Sequence, residues 1–266
     1  MVKTHYEFTK NSMFGQETRE KAVVTPEMAE MFGVGAHYGY SRTKRHPSAE
    51  EYIFGHKNKV DIFDLEKTIP LFERAKKYME ELGAKGSVVL LVGGKQEVSN
   101  SIRQAAEATG MPFVSGRWLG GTITNFSVIR SRVDLMLQLK ESKAKGELEK
   151  YTKRERLKID EEIVKLDELF SGLVRLTKIP DVIFIVDPKE ESTAVNEAKR
   201  KKIPIVALAN SDCDIKSLDY PIVGNDASRN SIEYFVSRIA EAYNSGKKKG
   251  LAKSGPAVSV SDKKVG

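Results

Sequence analysis

Three uninterrupted apolar runs limit this fold more than any other feature: Val88-Val89-Leu90-Leu91-Val92, Val182-Ile183-Phe184-Ile185-Val186 and Ile205-Val206-Ala207-Leu208-Ala209. Each is too short for a buried helix, and none alternates apolar with polar residues as a strand with one wet face does. Their β-branched content suits strands covered on both faces, the environment of a parallel sheet. Phe113-Val114 and the edge Ile222-Val223 bring the sheet to about five strands. Helical stretches lie between them. After Asp64 the apolar residues Leu65, Ile69, Phe72, Ala75, Tyr78, Met79 and Leu82 recur at three and four, and further helices are predicted near 96–109, 191–202 and 228–245. Strands alternating with helices predict a doubly wound α/β fold, Rossmann- or flavodoxin-like, with a mostly parallel sheet. Ahead of it, Thr25-Pro26-Glu27 reads as a helix start, and residues 52–64 as two short strands around His56-Lys57-Asn58-Lys59.

Residues 127–178 break the alternation and carry no strand signal. Ile129, Val133 and Met136 step by four and three; Ile159, Ile163, Leu166, Phe170 and Leu173 step by four, three, four and three. A seam on each arm, with the polar Lys143-Ala144-Lys145-Gly146 bend and a Thr152 cap between them, predicts an inserted antiparallel coiled-coil helical hairpin. The same pattern allows two helices lying flat on the sheet. The resulting domain map is an extension at 1–24, an α/β domain at 25–126 and 179–245, the hairpin at 127–178 and a basic flexible tail at 246–266. On this map about residues 132 to 172 should be removable without loss of the sheet.

The formal net charge of +7 and pI near 9.2 lean toward polyanionic partners. Lys247, Lys248, Lys249, Lys253, Lys263 and Lys264 hold most of that excess, so any nucleic-acid argument for the body rests on local clusters. The single cysteine, Cys213, excludes an internal disulfide or a cysteine-based zinc site and fits a reducing compartment. The first residues lack a secretory apolar core and no apolar run approaches a bilayer span, so a cytoplasmic protein without membrane contact is expected.

Val92-Gly93-Gly94-Lys95 follows a buried strand as a nucleotide loop would, but neither phosphate-binding fingerprint is present. Lys95 can still meet a phosphate at the following helix start. Asp187 stands where α/β enzymes keep catalytic carboxylates, yet Pro188 and the next helix favour a capping role. Asp212-Cys213-Asp214 lacks a His or Cys partner in sequence, and the four histidines form no ligand spacing. No catalytic, cofactor or metal-binding set is therefore assigned. The polar clusters point elsewhere. Arg42, Lys44, Arg45 and His46 form a basic loop between predicted elements, and Arg130, Lys153, Arg154 and Arg156 lie on the hairpin. The only tryptophan sits in Arg117-Trp118-Leu119-Gly120-Gly121-Thr122-Ile123-Thr124-Asn125-Phe126. That run reads first as a tight turn into a helix around a packed tryptophan, and only second as an Arg–Trp pair able to bind a phosphate and stack on a base.

The same run resembles the R-W-L-G-G-x-x-T-N-F signature of bacterial-type small-subunit ribosomal protein two. Gly35-Ala36-His37-Tyr38-Gly39, Tyr52-Ile53-Phe54-Gly55, Asp61 to Thr68, Leu91 to Gln96, Tyr151 to Glu155, Pro180 to Pro188 and Asp219 to Asp226 resemble further segments of that family in the same order. The chain departs from it where Tyr40 replaces a frequent histidine and where the basic loop lacks the usual tryptophan. The resemblance implies a non-enzymatic constituent of the small ribosomal subunit, cytoplasmic on the ribosome, with no small-molecule substrate. Its implied partners are small-subunit ribosomal RNA and other small-subunit proteins, including ribosomal protein S-one. Implied RNA contacts are Arg42, Lys44, Arg45, His46, Lys95, Arg117, Trp118, Asn125, Arg130, Lys153, Arg154 and Arg156. A nucleotide- or sugar-phosphate-binding α/β enzyme is the rival that a parallel sheet invites.

Overall fold

A computed structural model describes residues 25–253. Five strands form one parallel sheet: β4 (Val89–Val92), β5 (Phe113–Val114), β6 (Val182–Val186), β7 (Ile205–Ala209) and β8 (Tyr220–Val223), in the order β5-β4-β6-β7-β8. The three apolar runs are its central strands, buried along their length. Alternate residues enter two different cores. Val89, Leu91, Phe184 and Leu208 pack with α2 (Leu65–Lys85), α3 (Gln96–Thr109) and α7 (Arg229–Lys253). Leu90, Val92, Ile183, Ile185 and Ala207 pack on the opposite face with α4 (Phe126–Ala144), α5 (Lys153–Phe170) and α6 (Ser192–Arg200). Period-two geometry thus turns each uniformly apolar strand into two cores, giving the doubly wound fold.

One strand goes beyond the predicted elements and joins the predicted pair at 52–64 in a second sheet. After α1 (Pro26–Gly33), capped by Thr25, Tyr38–Ser41 forms β1 and pairs antiparallel with β3 (Val60–Phe63), which also pairs with β2 (Ile53–Lys57). β1 is only four residues and lies beside a basic loop, so its sequence reads as irregular. The β2–β3 turn places Asn58 and Lys59 at φ 51° and 65°, the left-handed pair that a two-residue hairpin requires.

The 127–178 region is two helices, α4 and α5, running antiparallel. Lys140 pairs with Asp167 and Lys143 with Asp160 at 2.7 Å, so one residue number falls as the other rises. Thr152 caps α5 in a reciprocal box with Glu155. At its base the pair is not a separate unit: Ile129, Val133, Met136, Leu166, Phe170 and Leu173 belong to the same core as Leu90 and Ile183.

The basic tail expected from residue 246 is helix as far as Lys253. Here α7 crosses α2 at glycine contacts: a Cβ on Gly246 would strike the carbonyl oxygen of Glu80, and one on Gly250 that of Ala84. Lys249 closes the crossing by pairing with Glu80. Because the obstruction is backbone, Gly246→Ala should cost about 2–3 kcal/mol by forcing the helices apart. Gly33→Ala, where a Cβ meets nothing within 4 Å, should be neutral or slightly stabilising, and chemical denaturation of the pair measures the difference.

Candidate nucleic-acid interface

The Arg117–Phe126 run wraps a carboxylate. Glu197, on α6, accepts hydrogen bonds from Trp118 Nε1 (3.1 Å), the backbone amides of Gly121 (2.7 Å), Ile123 (3.0 Å) and Thr124 (2.9 Å), and the Thr124 hydroxyl (3.0 Å). Burial alone would raise its pKa, but the donors from Thr124, Trp118, Gly121 and Ile123 outweigh it and hold the carboxyl below the usual glutamate value. Trp118 is 8% exposed and packs in the second core, so its ring is structural and offers no stacking face. Arg117 beside it is exposed. Asn125 is also exposed, at the N-cap of α4, and its side chain makes no capping bond.

A second polar cluster closes the carboxyl end of the parallel sheet, at the switch point between β4 and β6 where a nucleotide binds in doubly wound enzymes. It is carboxylate-rich. Glu191 Oε1 accepts the Gly94 amide at 2.8 Å, so the amide available to a phosphate is already taken by a protein anion. Burial raises the Glu191 pKa more than that bond lowers it. Lys95 pairs with Asp187 and donates to Tyr40 Oη at 3.2 Å. Burial opposes its charge, but Asp226 and Asp187 hold the ammonium above the ordinary lysine range. Lys95, expected to meet a phosphate, is held in this internal pair. Asp187 sits at φ 61°, in the left-handed region, and caps the next turn by accepting the Lys189 and Glu190 amides at 3.1 Å. Asp226 is pushed up to about 7, first by burial and then by repulsion from Asp187. Cys213, buried and facing the same carboxylates, is pushed above the usual thiol value.

Sequence motifs meet across this end. Asn225 donates its backbone amide to Ala36 O at 3.0 Å and its Nδ2 to Gly35 O at 3.0 Å, joining the Gly-Asn-Asp segment to the Gly-Ala-His segment. His37 stacks on Phe32 with centroids 4.2 Å apart, and burial lowers its pKa, so it is a packed residue.

The side chains of the basic loop divide by their partners. Arg45 forks onto Asp61, which is fully buried, so it is an internal counterion rather than a free phosphate ligand. His46 Nδ1 accepts from the Ser48 amide at 3.2 Å and caps a short 3-10 turn. Arg130 donates to the carbonyls of Val174 and Leu176 and to Asp134, tying α4 to the chain leaving the hairpin. Arg42 and Lys44 remain exposed, and Arg42 shares a shallow depression with Thr43, His56 and Lys59. The β2–β3 hairpin therefore adds His56 and Lys59, which the linear sequence does not place beside Arg42; the link is the Arg42 amide donating to Lys59 O at 3.0 Å. On the hairpin, Lys153 and Arg154 are exposed and Arg156 half-buried, and among the described residues none has a carboxylate partner. The functional residue that sequence reasoning misses outright is Glu197. Its only signal is an acid on the inner face of α6, between Ala194 and Ala198.

The family model described as "Ribosomal protein S2" matches residues 31–246. The chain is 37% identical over 218 residues to the small ribosomal subunit protein uS2 of Dehalococcoides mccartyi, covering 82% of this chain and 89% of that protein. It is 40% identical over 220 residues to uS2 of Dictyoglomus thermophilum, covering 83% and 89%. Against uS2 of Desulfatibacillum aliphaticivorans the identity is 40% over 225 residues, covering 85% and 76%.

Proposed function

The chain belongs to the ribosomal protein S2 family, and from that premise we propose that it is a non-enzymatic constituent of the small ribosomal subunit that holds ribosomal RNA through phosphate contacts. The observation carrying the contact assignment is the division among its cations. Arg45, Lys95 and Arg130 are bound inside the fold, whereas Arg42, Lys44, Lys57, Lys59, Lys153, Arg154 and Arg156 have no carboxylate partner among the described residues. The second set stands in two places, the three-stranded sheet and the hairpin turn, so two points on an RNA surface fix the orientation of the protein. Arg117 and Asn125 form a third point at the base of the hairpin.

The hairpin is the arm of this arrangement, wound as a coiled coil and carried by the α/β domain of residues 25–126 and 179–245. Leu157, Val164 and Tyr151 stay exposed on it, which suits contact with neighbouring small-subunit proteins. Ribosomal protein S-one is one such partner, and the site of action is the cytoplasmic ribosome.

Replacing Arg42, Lys57 and Lys59 with Ala should weaken binding to small-subunit RNA by about 10–100-fold and reduce the salt slope by roughly one for each phosphate that is no longer neutralised. The melting temperature should hold, because exposed charges contribute little to folding. Arg45→Ala should instead destabilise the protein by about 3–5 kcal/mol, since Asp61 would be left buried without its counterion. A salt-titrated binding isotherm and a thermal melt on each variant check this. Unchanged RNA affinity in the triple variant would refute the contact assignment.

A further inference from the structure

We propose that the turn Lys199-Arg200-Lys201-Lys202 is a further phosphate-binding site, holding an RNA segment separate from the one at the three-stranded sheet. This deepens the RNA-binding reading given above and rests on it. The turn closes α6 and leads into β7, so it lies at the amino edge of the parallel sheet. The three-stranded sheet lies at the other edge, where the Tyr40 amide donates at 3.0 Å to the hydroxyl of Ser211, just beyond β7. The five residues of β7 separate the two ends by about 16 Å.

Cations at a helix C-terminus favour its dipole, but that effect fades beyond the last turn and asks nothing of Lys201 or Lys202, which follow the helix. All four side chains are exposed, and among the described residues none makes an ion pair or a side-chain hydrogen bond. The acids beside them are committed. Glu197, the only carboxylate of α6, is buried and bonded to the Arg117–Phe126 loop, and Asp219 accepts the Ile205 amide at 2.9 Å. The field of the turn is therefore uncompensated.

Backbone conformation sets this turn apart from an ordinary solvated run. Lys202 sits at φ 56°, where glycine would end a helix without strain. Among the described residues the other non-glycines at positive φ are Asn58, Lys59 and Asp187. Asparagine and aspartate tolerate that region through local hydrogen bonds, and lysine has no such compensation. Each exposed cation patch thus holds one lysine in left-handed backbone, Lys59 beside Arg42 and Lys202 beside Arg200. Strain kept for a side chain that pairs with nothing in its own protein points to a ligand outside it. The turn is also rigid: the amides of Lys201, Lys202 and Ile203 donate to Glu197 O, Lys199 O and Ala198 O at 3.1, 3.1 and 2.9 Å. Neither α6 nor the turn exposes a large apolar side chain of the kind that anchors a protein interface, whereas phosphates ask only for charge.

The full-length protein and deproteinised small-subunit ribosomal RNA test this. Lys199→Gln, Arg200→Gln, Lys201→Gln and Lys202→Gly together should weaken binding by about 10–100-fold at about 0.1 M salt and lower the salt slope by about two to four. The melting temperature should hold or rise, since glycine fits the left-handed turn. In hydroxyl-radical footprints this variant should lose protection of one RNA segment, and the Arg42, Lys57 and Lys59 variant protection of another. Loss of the same segment in both would put the two patches on one stretch of RNA and overturn the proposal. Unchanged affinity and salt slope in the turn variant, with the sheet variant weakened, overturns this site and leaves the RNA-binding reading standing. Unchanged affinity in both variants overturns that reading as well. Normal RNA binding with reduced incorporation of the turn variant into subunits would assign the cluster to an acidic protein surface, and so would also overturn the site.

Discussion

Glu197→Ala should unfold at markedly lower urea concentration, with a loss on the order of 3–5 kcal/mol. The alanine removes one side chain but strands five donors: the Trp118 indole, the amides of Gly121, Ile123 and Thr124, and the Thr124 hydroxyl. Their loop is folded around the carboxylate, so water can reach them only if the loop opens. Trp118 is the sole tryptophan and lies inside that loop, so its emission should move toward that of exposed indole before global unfolding. Glu197→Gln keeps the shape but turns an amide NH₂ toward donors, and should fall between the two. The pH dependence has a definite sign. Glu197 has a lowered folded-state pKa, so its contribution is present above its unfolded pKa, about 4.3, and is lost as pH falls through the folded value. The gap between the unaltered protein and Glu197→Gln should therefore narrow in acid. A loss below about 1 kcal/mol for Glu197→Ala would mean that apolar packing alone holds the loop.

That carboxylate also bears on the choice between a ribosomal protein and an enzyme of similar architecture. In both places where a nucleotide phosphate would find backbone amides, the Gly94 turn and the Gly120-Gly121 loop, a glutamate of the chain itself accepts them. A phosphate would have to displace Glu191, which is buried and holds the Gly94 amide, or Glu197, which is buried and multiply bonded. The fold offers the crevice, and its own side chains fill it.

How much of this is legible in the sequence depends on the range of the interaction. The central strands and α3 follow from local apolar patterning, and α3 begins and ends where its pattern does. β1 is not legible, because its four residues make strand only by pairing with β3, some twenty residues on. The continuation of α7 past Gly246 is not legible either. Three lysines and a glycine read as a solvated tail, and only the groove of α2 explains why a glycine is needed there. Cations show the same limit. Composition marks Arg42, Lys44 and Arg45 alike, but which of them is free depends on Asp61, a residue on another strand. Likewise the tryptophan that draws attention to the signature loop is legible as important, while its role depends on a glutamate 79 positions away.

The hairpin gives the sharpest correction of that kind, and an outcome that separates two deletions. Read from its heptads alone, the segment from about 132 to 172 should come out cleanly. The structure places Val133, Met136, Leu166 and Phe170 against Leu90, Val92 and Ile183, and a Cβ on Gly172 would strike the carbonyl of Phe113, so this stretch forms one wall of the second core. Deleting it exposes the apolar face of the central strands, and each large side chain removed costs about 2–5 kcal/mol, enough in sum to exceed the whole stability of a domain. Beyond Met136 the burial falls away: Leu157 is 60% and Val164 57% exposed, while Lys140 and Asp167 still bring the two helices side by side. A cut there, replacing about residues 141 to 164 with a short Gly-Ser linker, should retain cooperative unfolding and the native fluorescence of Trp118, and should lose RNA affinity with Lys153, Arg154 and Arg156. The longer deletion should not fold. Circular dichroism and a urea melt of both variants decide it: cooperative unfolding of the 132–172 deletion would restore the hairpin as an independent unit, and collapse of the 141–164 deletion would make even its tip part of the core.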